Sequence, residues 1–77
     1  PISEDLAVTE DEAAAIRAMV RSLREPYLQV SVMYFLEERS VEEISRALRR
    51  PPKTVHTQLF RAKKMLQQQI RERSERQ

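Results

Sequence analysis

The stretch from Arg49 to Leu66, RRPPKTVHTQLFRAKKML, concentrates the side chains best suited to binding chemistry. Six basic residues lie in it (Arg49, Arg50, Lys53, Arg61, Lys63 and Lys64) together with His56, the one histidine of the chain, and it holds no acid. Projected at about 100° per residue, Val55, Leu59, Ala62 and Leu66 fall within roughly 60° of one another. Lys53, His56, Thr57, Phe60, Arg61 and Lys64 fall on the other side. A buried stripe backed by cations, a small hydroxyl and an exposed phenyl describes a helix that reads DNA. Arg61 can bond guanine through two hydrogen bonds or clamp a phosphate. Its plainer alternative is a surface arginine paired with an acid. An outward phenyl at Phe60 gains by meeting a thymine methyl or a sugar; its alternative is a rim contact within the domain. Thr57 is small enough for close approach. His56 can donate to phosphate or base, or be an ordinary surface histidine. Gln58 sits at the edge of the core-facing side, where a flanking role is expected, structural rather than base-reading. Lys53, Lys63 and Lys64 supply affinity that is independent of sequence and sensitive to salt.

Other chemistry finds little support. The chain has no glycine, and phosphate-cradling loops need it. It has no cysteine, and one histidine without clustered carboxylates makes no metal site. The neighbouring pairs Glu37/Glu38 and Glu42/Glu43 point apart or lie in a turn, and Ser40, Ser45 and Thr54 have no base beside them. No catalytic residue, cofactor or metal is expected, and the chain reads as a non-enzyme.

The elements that must hold this helix can be taken in order. Residues 1–8 are acidic and aperiodic, a linker or arm. Thr9 followed by Glu12 forms a capping box, and Ile16, Met19, Val20 and Leu23 make the buried stripe of a helix over about 10–23. Pro26 suits the first turn of a second helix, about 26–37, apolar on most sides and therefore central; any side left uncovered is a docking surface. Ser40 and Glu43 form a second capping box for a short helix over 41–48, with Val41, Ile44 and Leu48 inward. Pro51 and Pro52 end it and open a longer helix from about 52 to 70. Residues 71–77 form a charged tail, either one more helical turn or frayed. Short helix, tight turn, longer basic helix is helix-turn-helix spacing. The expected fold is all-α: a small four-helix domain over residues 9–70 containing a helix-turn-helix, with no wing strand.

Composition agrees with a polyanion partner. The 77 residues carry a net charge of +2, but residues 1–38 hold three cations against eight acids (−5), and residues 39–77 eleven against four (+7). No apolar run reaches the ~20 residues that span a bilayer, and no signal peptide is evident. Absent cysteine fits a reducing cytoplasm. The chain starts at Pro1 without methionine and reads as a piece of something longer.

From Leu23 to Leu66 the sequence resembles region 4 of bacterial sigma factors (sigma-70 family), in particular the extracytoplasmic-function type. The resemblance rests on Leu23-Arg24-Glu25-Pro26, on the apolar segment LQVSVMYF, on Ser40-Val41-Glu42-Glu43-Ile44-Ser45, on Pro51, and on Thr54-Val55-His56-Thr57-Gln58-Leu59-Phe60-Arg61-Ala62 with Leu66. It implies a domain that binds the −35 promoter element in the major groove while attached to the β flap of RNA polymerase, with an anti-sigma factor as a further partner and a bacterial cytoplasmic location. Carried over by position, His56, Thr57, Phe60 and Arg61 would lie at base edges, and Pro51, Lys53, Thr54 and Lys64 near phosphates. The chain departs from the family at Arg49 and Arg50, where a glycine or small polar residue and then an apolar one are common. A left-handed Arg49 would cost on the order of 1 kcal/mol; a wider turn is the alternative. His56, Thr57 and Gln58 stand where a basic residue, serine and arginine are frequent, so the role carries over and the preferred bases do not.

Two other functions compete. One is a stand-alone helix-turn-helix regulator or response-regulator output domain, which would need a dimer to read two half-sites. The other is an interaction module that docks the polymerase flap or an anti-sigma factor through the apolar second helix.

Overall fold

The computed structural model describes residues 9–75; the arm expected over residues 1–8 lies outside them. Their order is α1 (Glu10–Arg21), α2 (Tyr27–Ser31) continuing as a π-helical turn (Val32–Leu36), α3 (Val41–Leu48) and α4 (Pro52–Glu75). This is the all-α, four-helix arrangement expected, and the described residues contain no strand.

Both capping boxes form. Thr9 Oγ1 accepts from the Glu12 N–H at 3.1 Å, and the Glu12 carboxylate accepts from the Thr9 N–H at 3.2 Å. The Ser40 hydroxyl accepts from the Glu43 N–H at 3.1 Å, and Glu43 Oε1 accepts from the Ser40 N–H at 2.9 Å. Each pair satisfies two of the donors that a helix start leaves without intrahelical partners.

The helix ends depart from expectation. α1 stops at Arg21 rather than 23, because Ser22 turns its hydroxyl onto the Met19 carbonyl at 2.7 Å and competes with the helical ladder. The second helix starts at Tyr27, with Pro26 as its cap behind a cis Glu25–Pro26 peptide. In place of α-helix to 37, its second half widens to π geometry, closed by Glu37 N–H onto the Val32 carbonyl at 3.0 Å. α4 runs past 70 through Glu75, the further helical turn that is one of the two alternatives for the charged tail. Nothing in RERSE breaks a helix, and Gln68 donates to Glu72 one turn on at 3.3 Å.

Two turns share one device. Glu38 and Arg49 both take left-handed backbone, with φ of 56° and 55°. In each case the next N–H bonds back across the helix end: Arg39 to the Met33 carbonyl at 2.9 Å, Arg50 to the Ser45 carbonyl at 3.0 Å. The Arg50 bond is the six-to-one bond of a helix-terminating turn in which glycine is the usual left-handed residue; the Arg39 bond spans one residue more, where the helix it closes is π. The tight alternative for Arg49 is therefore the one adopted, and Ser45 reinforces it by donating its hydroxyl to the Arg50 carbonyl.

The core has two clusters. Met19, Val20 and Leu23 pack with Ala62 and Leu66; Val30 and Ile44 pack with Val55 and Leu59. Phe35 lies against both. The second helix touches α1, α3 and α4, as a central helix should, and of its large hydrophobic side chains only Tyr34 is exposed (40%). Ile16, expected in the buried stripe, is 37% exposed. It lines an open groove with Met19 on its own helix and Ile70 and Arg73 of α4, and Ile70 is itself 44% exposed.

Candidate nucleic-acid interface

α4 presents its faces as the periodicity requires. Val55, Leu59, Ala62 and Leu66 are buried, while Lys53, His56, Thr57, Phe60, Arg61 and Lys64 are exposed. Thr54 is half-buried at the edge of that face, and Pro51 is exposed in the turn before it. All eight predicted contact residues thus lie on one contiguous turn-and-helix surface. α3 and the Arg49 turn set its angle by packing Ile44 against Val55 and Leu59.

The detailed chemistry sorts these residues. Phe60 is 61% exposed, and Lys64 Nζ stands 4.9 Å from its ring centroid. The ammonium over the ring is a cation–π contact that holds both side chains outward. The Thr57 hydroxyl donates to the Lys53 carbonyl at 3.1 Å. Its proton is spent within the helix, so it offers outward a methyl and acceptor lone pairs. Among the described residues the one ion pair is Arg39 with Glu37, at 2.9 Å. Arg61, Lys53, Lys63 and Lys64 have no carboxylate partner there. His56, Thr57, Phe60 and Lys63 also form one wall of a shallow groove whose other wall is Tyr34, Phe35 and Val41.

The acids near the turn serve the fold. Hydrogen bonds from the Ser40 backbone N–H and hydroxyl hold the Glu43 carboxyl below the ordinary 4.5, with Arg39 and Arg46 adding to the effect. The described residues hold no group of three or more histidine, cysteine or acidic side chains arranged to bind a metal.

Against the family Sigma-70, region 4, the sequence matches over residues 13–66. The chain belongs to that family. The match covers most of α1, the central helix, α3, the turn and the buried half of α4, which is every element that builds and carries the exposed face. Comparison with curated proteins and with solved structures returns no match. As a region 4 domain the chain is a DNA-binding part of a sigma factor and serves promoter recognition in transcription. No helix of the described residues is long and apolar enough to cross a membrane.

Two contributions escaped the sequence reading. Arg50 turns inward and joins three elements: it donates to the Pro26 carbonyl at 3.2 Å, to Gln58 Oε1 at 3.0 Å and to Gln29 Oε1 at 3.4 Å. The structural role expected of Gln58 is its bond to Arg50. Tyr34 stands beside the exposed face because the π turn redirects it, meeting Phe35 edge-to-face at 5.1 Å.

Proposed function

We propose that this region 4 domain reads the −35 promoter element by placing α4 in the major groove, as part of a sigma factor of the extracytoplasmic-function type. The observation that carries this reading is the α4 face itself: cations that have no carboxylate partner among the described residues, around a solvent-exposed phenyl. Such a face has a reason to persist when it meets a polyanion that also offers thymine methyls. His56, Thr57, Phe60 and Arg61 approach base edges, with Arg61 the candidate for guanine. Pro51, Lys53, Thr54 and Lys64 lie along phosphates and fix the register. Residues 9–70 act as the reading unit, 1–8 as a linker or arm, and 71–77 as a charged tail within and beyond the last turns of α4. The role is binding, without catalysis or cofactor. The domain works while docked on the β flap of core RNA polymerase in the bacterial cytoplasm, and an anti-sigma factor is the natural inhibitor.

The test is promoter-dependent output in a bacterial one-hybrid assay, paired with circular dichroism of each variant. Arg61→Ala is expected to cut output about tenfold or more and to relax preference at one base pair. Phe60→Ala is expected to weaken it several-fold. Unchanged output from both variants, with the fold intact, would remove α4 as the reading helix.

A further inference from the structure

Arg50 lies at the flank of the α4 face and spends its hydrogen bonds on three uncharged acceptors: the Pro26 carbonyl, Gln29 Oε1 and Gln58 Oε1. A guanidinium has donors only, so the Gln58 amide must turn its oxygen toward Arg50, at 3.0 Å. Its nitrogen, with two N–H donors, is thereby aimed away. That nitrogen has no hydrogen-bond partner among the described residues. Nor is it buried without one, a condition confined there to Ser31 Oγ. It therefore reaches solvent. On the helical projection Gln58 lies roughly 60° from Arg61 and 40° from Thr54, on the side of the reading face toward α2.

We propose that Arg50 is a positioning residue that locks the Gln58 amide as a donor-only group for a phosphate oxygen of the bound duplex. This rests on the promoter-reading function above. A glutamine that reads adenine needs both its oxygen and its nitrogen. With the oxygen held by Arg50 that mode is closed, and the remaining donors match a ligand that carries acceptors alone. Phosphate is such a ligand, and the flank of a groove-bound helix is where phosphates lie.

The experiment measures binding of the 77-residue chain to a fluorescent duplex, selected by the chain from a random pool, alongside thermal unfolding of each variant. Gln58→Met is expected to weaken binding roughly tenfold, by the same factor on every duplex tested. Arg50→Ala should lose less, and the double variant should bind no worse than Gln58→Met alone, since both act through one contact. Gln58→Glu keeps an acceptor for Arg50, so its unfolding midpoint should hold while its binding falls further than that of Gln58→Met. If Arg50→Ala does not fold, the two Gln58 variants decide. Unfolding shifts with unchanged affinity, additive losses, or a changed base preference in Gln58→Met would each overturn the assignment. Arg61→Ala is the control: if it too leaves binding unchanged, promoter reading by α4 fails; if it alone weakens binding, only the Arg50–Gln58 inference fails.

Discussion

Two residues show how this chain manages without glycine. Glu38 and Arg49 occupy left-handed positions at helix ends, where a Cβ crowds the following carbonyl. Glycine would relieve that crowding but lose more entropy on folding. The net gain for Arg49→Gly is expected at about 0.5 kcal/mol, seen as a rise of a few degrees in the thermal midpoint. A fall would mean that the Arg49 side chain contributes more to the fold than its exposure suggests. Glu43 gives a pH signature. Its carboxyl is held below the ordinary value by the Ser40 hydrogen bonds, so the folded state favours the ionised form. The stability from this site is complete above the ordinary value of 4.5 and is lost as pH falls through the lower folded value. An acid titration followed by circular dichroism should therefore decline less steeply below about pH 4.5 in Glu43→Gln than in the parent, from a lower plateau. Equal slopes would mean that the capping box is not populated in solution.

At the scale of elements, the second helix carries the unresolved tension. Ser31 is fully buried and its hydroxyl has no hydrogen-bond partner among the described residues, at the junction where α geometry gives way to π. Ser31→Ala removes an unpaired polar group and improves helix propensity, so denaturant unfolding should show a gain of about 1 kcal/mol. A loss would reveal a partner for that hydroxyl, such as a buried water. This helix also marks where the sequence stopped being legible. The starts of α1 and α3 were readable because a capping box is built from residues three apart. The stripe and the outward face of α4 were readable because their period repeats over several turns. A π turn has no such local marker: it is settled by which of several packing partners each side chain reaches. Ile16 was misplaced for a related reason. Its periodicity was right, but the α4 residues beside it are Ile70, itself half-exposed, and Arg73, which cover it only in part. Arg50 was noticed as unusual, yet its three acceptors come from two other elements, and no spacing rule brings those together.

For the molecule as a whole, the decisive feature is that α4 serves two masters. One side of its first four turns completes both core clusters, and the other side carries the exposed cations. The acidic half of the sequence supplies α1 and the central helix, and the basic half supplies α3 and the reading surface, so charge asymmetry along the chain becomes asymmetry between elements. Phe35 is the side chain that touches both clusters. Its half-burial puts Phe35→Ala at about 2–3 kcal/mol destabilising, below a fully buried phenylalanine. The more telling measurement is native-state amide exchange. With Phe35 in place, the slowest amides of α1 and α3 should open with one shared free energy. In Phe35→Ala they should separate. A ring that joins two small cores makes them melt as a single cooperative unit. A domain this size would otherwise be two partly independent halves, and the turn that aims the reading helix could open while α1 stayed folded.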